Sequence, residues 1–227
     1  MEIKKYYIIF CLFFYIAANT FHYDVKLHNV SMSNVVMMTQ DTIVNKDLLT
    51  KISFETSTYK LISTFFEIDN KYQTIIDSNF NIKSFQKDTY QPNVSNKIFT
   101  INKNDSIFYN NSQLNIPKNY FNIFSLLYYL SITDFKQIKP NIKLEREGLQ
   151  YDCKIQKEKK TSHIYEYTLS FELVDNNRTP LFIQTDIFTW AIFKENAVRK
   201  IIVDSHLKKI VKCSFKNGWN KLEAHVK

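Results

Sequence analysis

Catalysis by acids, bases or metal ions needs polar side chains that converge, and histidine is the residue type that serves these roles near neutral pH. The five histidines are His22, His28, His163, His206 and His225, and no two stand at a spacing that would place them on one helix face as metal ligands. Cys-x-x-Cys, His-Glu-x-x-His, Gly-x-Ser-x-Gly, Walker and dinucleotide glycine patterns are all missing. With 2 glycines the chain has little means of building a backbone cradle for phosphate. Carboxylates remain: Asp186, Glu166 and Asp204 lie on or next to strands where an inward pose is conceivable. Asp186 follows Thr185 and reads equally well as a partner for local backbone groups at a strand start. Glu166 falls opposite Tyr165 and Tyr167, on what should be the solvated face. The sequence therefore names no catalytic residue, no metal ligand and no cofactor, and the expectation is a protein that is not an enzyme.

Aromatic residues rise above this background. Phe121, Phe124, Tyr128 and Tyr129 cluster in one apolar run, and Phe188, Trp190 and Phe193 in another. Such residues lining a curved sheet beneath an apolar helix could enclose a site for an acyl chain or other hydrophobic ligand. Ordinary core packing accounts for the same residues. Phe124, Leu127, Tyr128 and Trp190 are the candidate apolar lining.

Cysteine supplies a second candidate feature. Cys11 lies in the apolar start of the chain, which leaves Cys153 and Cys213 as an even pair. Leu149, Tyr151, Cys153 and Ile155 share one strand face, and so do Val211, Cys213 and Phe215, so both thiols should point into the core. Two buried free thiols or one disulfide fit this parity; a bridge requires α-carbons within about 7 Å.

The address is written in the first residues. Lys4 and Lys5 precede an apolar run from Tyr6 to Ile16, followed by the small residues Ala17 and Ala18, which is the pattern of a secretory leader. The run is shorter than the roughly 20 residues a spanning helix needs. Residues 1–19 are expected to be removed, leaving 20–227 as a single β-rich domain without a membrane span, exported to the periplasm of a Gram-negative-type bacterium. Formal charge is +8, which favours anionic surfaces. Lysine far outnumbers arginine, however, and Ile, Asn, Lys, Phe and Tyr are abundant together, as an AT-rich genome would encode. Export argues against nucleic acid as a partner. The Asn-x-Ser/Thr sequons at Asn29, Asn93, Asn104, Asn110 and Asn177 are discounted as a product of asparagine-rich composition.

The elements that must position these residues are mostly strands. Phe21 to Leu27 alternates as an opening strand, Ile52 and Phe54 mark a second, and Thr58 to Ile68 is ambiguous between helix and strand. A meander follows: YQTII, a turn at Asp77-Ser78-Asn79, FNIKSF, KIFTI, a turn at Lys103-Asn104-Asp105, and SIFY. After Pro117, Asn119 or Asn122 can cap NIFSLLYYLS, a helix apolar on nearly its whole circumference that must be buried on, or plug, the concave face. Strands resume with NIKLER, LQYDCKIQ, HIYEYTLSFEL, TDIFTWAIF, VRKIIV, KKIVKCSF and WNKLEAHV. More than ten antiparallel strands and one main apolar helix predict a mostly β fold: a large curved antiparallel sheet or half-open β-barrel with the helix packed on or across it.

The succession YDVKLHNV, NIFSLLYYL, YDCKI, TDIFTWAIF, VRKIIVD and KKIVKCSF resembles the bacterial domain-of-unknown-function family 3108 (DUF3108) over nearly all of the chain after the leader. That resemblance implies a fold similar to the outer-membrane lipoprotein carriers, half-open β-barrels with helices across the mouth and an apolar cavity that receives lipid chains. Two features depart from it: one strong helix, and no glycine around Val30 to Asn34, where the opening hairpin of the family often has one. The implied function is a binding or carrier module for a lipid, lipoprotein or other apolar ligand, with the helix around Phe124, Leu127 and Tyr128 as lid and Trp190 below it. The alternative is an envelope interaction or assembly module with a filled core, whose partner is another envelope protein.

Overall fold

The structure, a computed structural model, describes residues 18–227 except positions 45, 104, 105, 111, 113, 118, 176 and 177. The expected leader up to residue 17, Cys11, the turn at Asn104-Asp105 and the sequons at Asn104 and Asn177 lie outside the described residues. Ala18 and Asn19, expected to leave with the leader, are the exposed first residues of β1.

Strands β1 (Ala18–Leu27), β2 (Val30–Val44) and β3 (Asp47–Thr58) open the chain and lead to a one-turn helix, α1 (Lys60–Ser63). Next come β4 (Asp69–Ile76), β5 (Ile82–Gln91), β6 (Val94–Lys103), β7 (Ser106–Tyr109) and β8 (Asn115–Pro117). Helix α2 (Ile123–Ile132) follows, then β9 (Asn141–Arg146), β10 (Leu149–Lys159), β11 (Ile164–Leu173) and helix α3 (Ile187–Phe193). The chain closes with β12 (Val198–Asp204), β13 (Lys209–Asn217) and β14 (Asn220–Val226).

Among the described residues 14 strands form one antiparallel sheet in the order β8-β7-β6-β5-β4-β3-β2-β1-β14-β13-β12-β11-β10-β9. The first and last strands meet in its middle, with Tyr23 opposite Val226 and Leu27 opposite Leu222. The sheet is not closed: β8 and β9 are its edges, and the connection between them carries α2. Phe121 in that connection makes a parallel bridge to Leu144 of β9, donating its N–H to Lys143 and accepting from Glu145 at 2.9 and 2.7 Å. The exposed edge of β9 is thereby partly covered, as an unpaired edge must be.

Hairpins form here almost without glycine. A two-residue turn that matches strand twist needs positive φ at both positions, and His28 (φ 49°) with Asn29 (φ 68°) supplies it between β1 and β2. The missing glycine near Val30 therefore does not cost the opening hairpin. Between β9 and β10, Glu147 (φ 49°) and Gly148 (φ 93°) do the same. A Cβ at Gly148 would also meet the end of the Leu114 side chain at 2.9 Å, and that flexible side chain would have to yield. At Asp77 the carboxylate accepts from the N–H groups of Asn79 and Asn81 at 2.9 and 3.0 Å, the Asx turn that the sequence pointed to.

The strand expected over TDIFTWAIF is a correction: Ile187–Phe193 is a helix. Buried charges at both ends select it. Asp186 Oδ1 accepts from the N–H groups of Phe188 and Thr189, each at 3.0 Å. At the other end the Arg199 guanidinium donates to the carbonyls of Ile192, Ala197 and Lys194, the latter two at 2.7 and 2.6 Å. An anion at the start and a cation at the end complement the helix dipole. No period-2 burial survives that arrangement.

The sheet curls around α2. This helix touches β3 and β4 on one half of the sheet and β9, β12 and β13 on the other. Asn122 caps it, accepting from Ser125 N–H at 2.9 Å while its own N–H donates to Ser125 Oγ at 3.0 Å. That reciprocal box satisfies two otherwise orphaned donors. Asn122 Nδ2 also donates to Thr74 Oγ1 of β4 at 3.1 Å, all buried. Leu126 and Leu130 are fully buried, as an all-round apolar helix requires. The helix is thus packed on the concave face, one of the placements expected for it.

Candidate functional site

Strand alternation sends Tyr23 and Val25 of β1, Val35 and Met37 of β2, Phe54 of β3, Cys213 and Phe215 of β13 and Ala224 of β14 to the concave side. Ile123, Phe124 and Leu127 of α2 and Phe188, Thr189 and Ile192 of α3 approach the same space. Between them lies a cavity of about 90 Å³ with an almost wholly apolar lining. Phe124 forms one wall, its ring 4.7 Å from Tyr72, 5.0 Å from Phe54 and 5.8 Å from Phe85 between centroids. One polar atom stands out: the Tyr23 hydroxyl is buried without a hydrogen-bond partner. Burial, with the nearby Cys213 thiol, pushes its pKa well up, so it is a neutral donor.

Of the four candidate lining residues, Phe124 and Leu127 border this cavity, whereas Tyr128 and Trp190 do not. Tyr128 faces Phe80, 6.2 Å between ring centroids. Trp190 is 41% exposed and borders a separate groove with Leu27, Lys194 and Leu222. It lies on a helix and not a strand, which turns its ring away from the concave face.

Beside the cavity is a cluster that strand patterns did not reveal. Lys87, which points inward from β5, is buried with Glu147 and Asp186. Its ammonium contacts Glu147 Oε1, Asp186 Oδ2 at 2.7 Å and Thr185 Oγ1 at 3.1 Å. Tyr72 OH donates to Asp186 Oδ1 at 2.7 Å. Burial pushes the Asp186 carboxyl up, but Lys87, first by charge and then by hydrogen bonding, together with Thr189, holds it below the usual carboxylate range. Glu145, fully enclosed next to Glu147, is pushed by burial up to about 7, although Tyr109 OH donates to it. The Lys87 ammonium thus has three oxygens of the protein around it. The cluster ties the connection before α3 to β5 and to the β9–β10 turn. Asn96 Nδ2 donating to Gln184 O at 2.9 Å and Ile187 N–H donating to Gln91 Oε1 at 3.2 Å add to this tie.

Comparison with known proteins bears on the fold. The fold is β-barrel-like. A crystal structure of a β-barrel-like protein of domain of unknown function DUF1849 from Brucella abortus is similar, with a TM-score of 0.52 at 9% identity over 93% of this chain and 96% of that one. No family model matches the chain, so membership of family 3108 is not shown, and no curated protein matches it.

Cys153 and Cys213 are free and buried. Cys213 pairs with Ile201, Ile201 with Tyr167 and Tyr167 with Lys157, four residues beyond Cys153. Two strands therefore separate the thiols, far more than a bridge spans, and burial pushes both up to about 12. The other two carboxylates singled out in the sequence do not join Asp186. Glu166 is on the outer face but buried under Lys200, whose Nζ is 2.7 Å away. Asp204 accepts from the N–H groups of His206 and Leu207, both at 3.0 Å, in the β12–β13 turn. Among the described residues no His, Cys, Asp or Glu group could hold a metal ion. None of their helices is long and apolar enough to cross a membrane.

Proposed function

We propose that this is an exported, non-catalytic periplasmic module that binds an apolar ligand, such as a lipid or the lipid part of a lipoprotein, on the concave face of its sheet. The observation that carries the reading is the apolar cavity between α2, α3 and strands β1, β2, β13 and β14. At about 90 Å³ it accepts a short apolar segment; a drug-sized ligand needs roughly 300 Å³ or more. A longer chain must displace α3, the 7-residue helix on its border. The leader pattern and the resemblance to family 3108, with its carrier-like relatives, point the same way. The contacts of Lys87 with Glu147, Asp186 and Thr185 favour a structural role for this buried ionic cluster over an acid–base role.

Native mass spectrometry of the protein purified from a bacterial envelope, followed by organic extraction, tests this. A retained lipid-sized mass that disappears when Ala224→Leu fills the cavity is the expected result. A wild-type protein that carries no small molecule, or one whose cargo survives Ala224→Leu, rejects the cavity as the binding site.

A further inference from the structure

Antiparallel alternation gathers the β1–β2 turn, the β13–β14 turn, the β3–β4 connection with α1 and the segment holding α3 at one end of the sheet. Both tryptophans of the chain are there. Trp219, in the β13–β14 turn, is 94% exposed, and Trp190 on α3 is 41% exposed. Leu61 and Phe65 in the α1 connection are 85% and 87% exposed. Large apolar side chains standing singly on separate turns do not form the continuous flat patch of a protein interface core. They suit a fluid partner that closes around each one.

Charge identifies that partner. His28, Lys216 and Lys221 share a shallow groove with Trp219, and the Lys194 ammonium sits 5.7 Å from the Trp190 ring centroid. The exposed acids at this end are Glu195 and, in the α1 connection and at the start of β4, Glu67 and Asp69, the last paired with Lys71 at 3.8 Å. Next to Trp219 the buried Glu223 is already shared between Lys212 and Lys221 at 2.6 and 2.9 Å. Tryptophan flanked by lysine is the composition that anchors proteins at the headgroup level of a bilayer, where the ring is half apolar and the cation meets lipid phosphate. We infer that this end of the protein docks on an anionic lipid surface through Trp219 and Trp190, with Lys194 and Lys216 facing the headgroups. This goes beyond the cavity reading and does not depend on it.

The two tryptophans make the test direct, because both report from the docking end. The purified protein is mixed with vesicles of phosphatidylcholine alone or with an equal share of phosphatidylglycerol, at low and high salt. The expected result is co-sedimentation with the anionic vesicles only, a blue shift of the tryptophan emission, and loss of both in high salt. Lys194→Gln with Lys216→Gln should lower partitioning by about 25-fold, about fivefold for each ammonium lost near an anionic surface. Trp219→Ala, at an exposed position that leaves the circular dichroism unchanged, should weaken partitioning as well. No co-sedimentation at low salt overturns the inference, as does partitioning that both variants retain. Self-association of the protein that Trp219→Ala removes, without vesicle binding, also overturns it and assigns the surface to a second copy.

Discussion

A single hydroxyl shows what one unpartnered polar group does to stability. Tyr23 OH is buried without a partner, and such a group costs about 1–3 kcal/mol of folding free energy. Tyr23→Phe should therefore raise the stability of the protein by about 1 kcal/mol in a urea titration. A fall in stability would mean that the hydroxyl is already satisfied. Glu145 offers the opposite kind of test. Its carboxyl is raised from 4.5 to about 7, so the folded state holds a proton that the unfolded state releases. Stability should then decline as pH rises from about 4.5 to about 7, by about 3 kcal/mol, and stay level for this group above that. Glu145→Gln removes the titration while keeping an acceptor for Tyr109. It should flatten the stability profile between pH 5 and 7 and gain most at pH 8; an unchanged profile would contradict the burial cost. Neither residue was legible as special: Tyr23 looks like any inward strand residue, and Glu145 meets Tyr109 and Lys87 only in three dimensions. Of the buried ionic cluster only Asp186 stood out in the sequence, without its partners Lys87 and Glu147.

Helices and strands record their sequences unevenly. The strands from Asn141 to Leu173 and from Val198 to Val226 carry clear alternation, and apart from the β1–β14 pair their partners follow one another along the chain, so they could be placed from sequence. In β2 the run Val35-Val36-Met37-Met38 hides the alternation, although only Val35 and Met37 of the four are buried. At α3 the apolar spacing of Ile187, Phe188, Trp190, Ile192 and Phe193 fits either period. What decides the matter is the Asp186 cap and the Arg199 clamp, the latter contributed from β12 after the helix has ended. Arg199→Lys tests that clamp. One ammonium cannot follow the planar fork across three carbonyls while stacking 4.3 Å over Phe171. Hydrogen exchange should accelerate in residues 187–193 and remain slow in the sheet; uniform acceleration would show that α3 is no separate unit.

At the scale of the whole molecule, the two thiols measure how far the sheet holds its halves apart. Both are buried and two strands separate them, so dithiothreitol should leave the melting temperature unchanged. A thiol reagent should label both cysteines only as the protein unfolds; a reduction-sensitive melt would require a different register for β10 to β13. A further consequence follows from the cyclic strand order. β1 takes β2 as one neighbour after a two-residue turn, but its other neighbour, β14, comes from the far end of the chain. During synthesis or translocation, eight consecutive strands emerge and can pair while β1 keeps one bare edge. The seam between β1 and β14 closes only once β14 has emerged, so this most distant pairing is expected to be the slow, aggregation-exposed step of folding. A chain shortened by its last strand would leave that edge permanently open and invite the β14 of another copy to fill it.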